Sequence, residues 1–129
     1  MKRVVNVHQL KPDEDPRSLR ARVKDRDKTV LRDTYFLVDP DTSPSQRLKM
    51  GLTVIYPTGS TTGHTHDGIE EVYYAISGEG IMVVGESEFP IKPGDALYVP
   101  PGAFHTTYQR GNLPLTVLCV TGDLREDRD

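Results

Sequence analysis

The chain has 129 residues and a formal net charge of −3, with 16 Lys and Arg against 19 Asp and Glu. The two signs are interspersed, which argues against nucleic acid or an anionic membrane as the main partner. Cys119 is the sole cysteine, so no intrachain disulfide can form, and no apolar run approaches the ~20 residues of a membrane-spanning helix. One domain with a single core is expected. The basic start Met1-Lys2-Arg3 is followed by too short an apolar stretch for a signal peptide, so a soluble, cytoplasmic protein is expected.

In chain order, residues 4–7 read as a strand, followed by a polar segment between Pro12 and Pro16 that cannot be helical throughout. Residues 18–28 alternate Leu19, Ala21 and Val23 with Arg20, Arg22 and Lys24, as in an edge strand with one charged face. A cationic patch for phosphate is the other reading, diluted by Asp25 and Asp27. Residues 30–38 form a further strand, 41–46 a loop rich in Ser, Thr, Asp and Pro, and 48–56 a strand stopped by Pro57. Strands follow at 71–76, 81–84, 88–91, 96–99, 105–109 and 113–120, with turns at 77–80, 85–87 and 110–112 and a charged tail from 121. Ten prolines, eleven glycines and no sustained helical period predict an all-β fold of about ten short antiparallel strands, a sandwich or barrel.

Chemistry concentrates in two stretches. In His64-Thr65-His66 an extended backbone places both imidazoles on one face, and a second strand through Glu71 can bring its carboxylate to the same point. About forty residues on, a turn at Gly94-Asp95, a short apolar strand and a rigid Pro100-Pro101-Gly102 corner lead to His105. Three of the four histidines fall in these stretches; His8 stands alone and receives no role. Burying three imidazoles and a carboxylate without a partner is costly, and one divalent transition metal removes that cost. Three nitrogens and one oxygen suit Fe, Mn, Co, Ni or Zn rather than a Ca- or Mg-type oxygen cage. The alternative is a polar hydrogen-bond network with no ion. Tyr73 and Ala75 alternate in phase with Glu71, so Tyr73 points inward, either as core or as a substrate contact, while Tyr74 points away. Tyr98 and Phe104 are expected to pack the wall. Glu70 is a supporting or solvated group, and Met50, Val54, Met82, Val117 and Cys119 are candidates for an apolar pocket.

The two stretches resemble the two cupin motifs. The first has a glycine, His-x-His, a glutamate, and a glycine seven residues after it; that spacing to Gly78 selects Glu71 over Glu70 as the ligand. The second has a glycine, Pro-x-Gly and a histidine; Gln109 stands where it often has Asn. The resemblance implies a double-stranded β-helix, or jelly roll, with His64, His66, Glu71 and His105 holding the metal in one open end. It implies a barrel over residues 48–121, N-terminal strands and a loop over 1–47, a tail at 122–129, and a homodimer to which the N-terminal strands contribute.

A closer similarity, carried by 52–57, 61–66, 71–73 and 98–101, is to the archaeal cupin-type glucose-6-phosphate isomerases. It implies that Thr53, Thr61, Gly63 and Tyr73 contact the sugar phosphate, with Thr62 where that family tends to carry a lysine. The expected function is therefore a metal-dependent enzyme acting on a small polar molecule, a sugar or sugar-phosphate isomerase first. A metal-dependent dioxygenase or decarboxylase of a small organic acid, diketone or phenol is second, and a non-catalytic ligand-sensing barrel third.

Overall fold

The computed structural model describes residues 4–12 and 31–126. Its eight strands are β1 (Arg32–Val38), β2 (Leu48–Ile55), β3 (Ile69–Ser77), β4 (Glu79–Val84), β5 (Ser87–Ile91), β6 (Ala96–Val99), β7 (His105–Arg110) and β8 (Leu115–Asp123). They form a five-stranded sheet, β1-β2-β8-β3-β6, and a three-stranded sheet, β5-β4-β7. The ladders of both sheets are antiparallel. The result is an all-β jelly roll whose two sheets face each other without one continuous hydrogen-bonded wall. No helix among the described residues is long and apolar enough to cross a membrane.

Period-two alternation decides which side chains enter. On β3, Glu71 and Ala75 are buried, while Val72, Tyr74 and Ile76 are exposed on the opposite face. The core joins Ile55, Ala75, Val99, Leu115 and Val117 of the large sheet to Met82 and Ile91 of the small one. Antiparallel register sets the inward side chains of β2, β8 and β3 in rows: Lys49–Thr121–Glu71, then Gly51–Cys119–Tyr73, then Thr53–Val117–Ala75. From β1, Phe36 joins the second row and Thr34 the third, while Arg32 pairs with Ile55 deeper still.

Three expectations are corrected. Residues 4–7 do not form a strand: Val4 is exposed without a partner strand, and Val7–Gln9 is a 3₁₀ turn. There the Asn6 side chain accepts from the His8 N–H at 2.9 Å, a local bond that competes with extended pairing. The His64 segment is not a continuous strand either. It touches β7 only through bridges at Ser60–Tyr108 and His64–His105. Between them the Thr107 N–H donates to the Thr61 hydroxyl, at 3.0 Å, in place of a backbone carbonyl. Finally, β8 runs on to Asp123, into the expected tail; the described residues hold eight strands, and the expected strand at 18–28 lies outside them.

Gln109 is buried and ties two loops together. Its Nε2 donates to the carbonyls of Arg110, Gly111 and Leu113 at 2.7–2.9 Å, and its Oε1 accepts from the Thr58 N–H at 3.0 Å. The β1–β2 edge carries a second buried polar contact, the Tyr56 hydroxyl donating to Asp33 Oδ2 at 2.8 Å. Burial, then that bond and the Asp33 charge, push the Tyr56 phenol up to about 12. Since the folded value lies above the unfolded one, the stabilising contribution is complete below pH 10 and is lost as pH rises towards 12. Tyr56→Phe should cost about 1 kcal/mol at neutral pH. It should also remove one late-ionising tyrosine from an alkaline absorbance titration, and an unchanged titration would refute the assignment.

Candidate metal centre

The four expected ligands meet. Ligand atoms of His64, His66, Glu71 and His105 all lie within 4.8 Å of one another. Each arrives by a different local device. Glu71 stands on β3 between β8 and β6, paired with Thr121 and Val99. His105 opens β7, and its backbone exchanges two hydrogen bonds with His64, at 3.0 and 3.1 Å. The His66 carbonyl accepts from the Gly102 N–H at 2.9 Å, tying the first histidine pair to the Pro-Pro-Gly corner. The bridges thus supply the convergence that a regular strand was expected to supply.

Ring orientation is fixed from behind. His64 Nδ1 lies 2.8 Å from the Thr62 carbonyl and His105 Nδ1 lies 3.1 Å from the Ala103 carbonyl. A carbonyl only accepts, so both Nδ1 atoms carry hydrogen, and each ring in its neutral form turns an Nε2 lone pair into the site. His105 Nε2 and Glu71 Oε2 are 2.6 Å apart, with His66 Nε2 3.8 Å from Oε1. Both residues of the closer pair are nearly fully buried. Yet His105 Nε2 and Glu71 Oε2 have no hydrogen-bond partner of acceptable geometry. An imidazole and a carboxylate this close share either a proton or a cation, and the convergence of four donor atoms on one point suits the cation. The donor set therefore fits a divalent transition metal.

Burial lowers the His64 pKa, with the neighbouring His105 and His66 adding to the effect against the Thr62 carbonyl and Glu71. Burial also works to lower His105, but the hydrogen bonds to Glu71 and to the Ala103 carbonyl, with the Glu71 charge, outweigh it and the net shift is upward.

The ligands open into a cavity of about 450 Å³, within the range of small-molecule sites. Thr53, Thr61 and Tyr73 line it, as do Val117 and Cys119. The Thr61 hydroxyl is already engaged by the Thr107 N–H, and Thr53 Oγ1 lies 3.2 Å from Thr34 Oγ1. Tyr73 is hydrogen-bonded to Cys119, its ring centroid 5.9 Å from that of His105. Burial above all holds its phenol well above the ordinary range, and burial likewise pushes the Cys119 thiol up to about 12.

Several expected contacts fall elsewhere. Gly63 is outside the cavity wall: it is exposed at the rim, where a Cβ would come within 2.3 Å of the Phe104 ring. Tyr98 and Phe104 are half exposed rather than wall-packed, and the Tyr98 hydroxyl donates to Glu70 at 3.1 Å on the outer face. Met82 is sealed in the core, while Met50 and Val54 do not reach the cavity.

Three polar residues were missed by sequence reasoning. Thr62 lines the cavity, and its Oγ1 is buried without a partner. Arg32 and Lys49 bring cations to the wall. Which face of each strand turns inward depends on pairing with its neighbours, and a charged residue in a strand reads first as solvated.

The family model described as Cupin domain matches residues 51–121. An uncharacterised protein of Methanocaldococcus jannaschii is 33% identical, over 74% of this chain and 74% of its own length. A glucose-6-phosphate isomerase of Thermococcus gammatolerans is 37% identical over 57% of this chain, and the match spans only 46% of that enzyme. Among solved structures, a predicted oxalate decarboxylase of Thermotoga maritima superposes with a TM-score of 0.67 at 27% identity, covering 72% of this chain and 81% of the other.

Proposed function

The chain belongs to the cupin family, and from that premise we propose a metal-dependent enzyme acting on a small polar molecule inside the barrel. The favoured reaction is isomerisation of a sugar or sugar phosphate. One observation carries this reading: a ligand set with orphaned lone pairs opens directly into a cavity edged by the hydroxyls of Thr53, Thr62 and Tyr73. Similarity to a glucose-6-phosphate isomerase supports the substrate class.

His64, His66, Glu71 and His105 would hold one Fe, Mn, Co, Ni or Zn ion, which supplies Lewis acidity to a carbonyl and its neighbouring hydroxyl. The protein's own groups do the remaining work. Tyr73, protonated throughout the physiological range, would turn its one hydroxyl hydrogen from Cys119 to a substrate oxygen and does not remove a proton. Thr62 offers a hydroxyl that nothing else engages, and Thr53 adds a second donor from the facing wall. The cavity shields the reacting carbons from bulk water. The proposal extends to a homodimer.

A second reading, an oxygenase or decarboxylase of a small organic acid, draws on the apolar wall of Val117, Phe36 and Ile69 and on the likeness to a predicted oxalate decarboxylase. The test is metal content, then sugar-phosphate isomerisation and oxygen uptake by the metal-loaded protein. Isomerisation without oxygen consumption is expected. Oxygen uptake with Fe(II), or decarboxylation of a small acid, in place of isomerisation would transfer the assignment to the second reading. In the active assay Tyr73→Phe should lower turnover or affinity about tenfold while metal content is unchanged. If neither moves, Tyr73 is core.

A further inference from the structure

The backbone does not require glycine at position 51. Of the eleven glycines, six adopt positive φ, and Gly59, Gly63 and Gly80 stand where a Cβ would come within 2.3–2.7 Å of a neighbour. Gly51 lies inside β2, and a Cβ there would make only ordinary contacts: the Tyr35 carbonyl at 3.6 Å, Phe36 Cδ1 at 3.7 Å and Thr34 Cγ2 at 3.9 Å. Gly122 has similar freedom, but it faces Glu70 on the outer side of the sheet. The register irregularity between Phe36 and Val38 belongs to β1, and on its other side Gly51 pairs with Cys119 in an unbroken ladder. A glycine inside a strand weakens it, since it loses more conformational freedom on folding than any other residue and packs nothing.

What this glycine does is shape the cavity. Gly51 is buried and lines it, in the row of Cys119 and Tyr73 and one row from Glu71. Lys49 and Thr53 precede and follow it on the inward face of β2, and Phe36 flanks it from β1. The missing side chain leaves a recess edged by the Phe36 ring, the Thr34 methyl and Cys119. Its border is uncharged, because the Lys49 ammonium is held by Asp39 at 3.6 Å and by the Phe36 ring at 4.2 Å. Two strand spacings, on the order of 10 Å, separate it from Tyr73. We infer that Gly51 determines specificity: its recess receives the uncharged carbon body, a ring or branched chain, of a molecule whose oxygens lie at the metal ligands. The inference rests on the proposed enzyme reading for that oxygen-binding end, and adds a size preference that the ligand set cannot impose. A two-carbon acid would leave the recess empty, and a side chain at position 51 would close it.

The test compares wild type with Gly51→Ala and Gly51→Val, each loaded with Co(II), whose visible spectrum reports ligand binding. The probes share a hydroxamate head, a two-oxygen metal donor, and carry methyl, cyclohexyl or cyclohexylethyl tails. In wild type one cyclic tail should bind at least about tenfold more tightly than methyl, since each buried methylene contributes about fourfold. Gly51→Ala should reduce that ratio and Gly51→Val should abolish it, with methyl binding and metal content unchanged. Gly122→Ala, on the outer face, should leave the ratio intact. The thermal midpoint of Gly51→Ala should hold or rise by about 1–5 °C, because alanine restricts the unfolded chain. A marked fall would give the glycine a structural reason and overturn the inference. A second arm titrates cyclohexanol into chelated wild type and Gly51→Val, followed by NMR shifts. Binding there that requires Gly51 supports the recess even if no metal is taken up, an outcome that would sink the enzyme reading alone. No preference for a cyclic tail in wild type, or an equal preference in Gly51→Val, would overturn the inference. Without metal uptake, cyclohexanol binding that is absent or equal in the two proteins would do the same.

Discussion

His105→Ala is expected to strip the protein of its metal, from about one ion per chain to close to none by elemental analysis. His105 is 2% exposed and lies 2.6 Å from Glu71, so its removal also leaves a buried carboxylate facing a void. His64→Ala should behave alike, and any activity should fall to background in both. His8→Ala, on an exposed turn, should retain the metal in full. Equal loss in all three, or equal retention, would refute the site.

The same pair gives the centre a pH signature. In the metal-free protein Glu71 holds His105 protonated above its ordinary range, so an incoming ion must displace that proton. Metal affinity should therefore rise with pH through that raised value. The stability contributed by the ion-free pair runs the other way: it is complete below pH 6.5 and is lost as pH rises through the raised value. Melting curves with and without chelator should diverge as pH increases.

Gly78→Ala is expected to destabilise the fold by about 3 kcal/mol or more, lowering the melting temperature on the order of 10 °C. Gly78 joins β3 to β4 at φ +80°, where a Cβ would sit 2.1 Å from the Pro114 carbonyl oxygen and 2.8 Å from Leu115 Cα. Both obstacles are backbone, which cannot swing aside as a side chain can. Gly85→Ala separates the two penalties. That residue also has positive φ, +60°, but open space around it, so it should cost only about 1 kcal/mol. Similar losses in the two variants would show that the close approach at Gly78 relaxes easily.

Much of this was legible from spacing. The strands from 32 to 38 and from 48 onward follow alternation and turn residues, and the four ligands were identifiable because His64, His66, Glu71 and His105 share two compact stretches. What spacing cannot reveal is competition. Asn6 captures the His8 N–H locally and Thr61 captures the Thr107 N–H across 46 residues, and each bond takes the place of regular strand pairing. The wall was harder to read than the ligands. Gly63 carried a motif match but is exposed beside the Phe104 ring, outside the cavity lining, whereas Arg32 carried no motif and lines the cavity. Its placement follows from β1–β2 register, a non-local quantity that no window of sequence contains.

The division of the barrel into two sheets has one further consequence. Glu71 belongs to the five-stranded sheet and His105 to the three-stranded one, and the backbone ladders of the two do not join. An ion gripped by both residues would be a further stitch between halves that otherwise hold together through side-chain packing, the connecting turns and the backbone bridges from residues 59–64 to β7. Occupancy would then set how readily the sandwich breathes. Amide exchange along β3 and β7 would slow on loading, far more than in β5 at the distant margin. The chemistry of the centre and the mechanical coherence of the fold would rise and fall together.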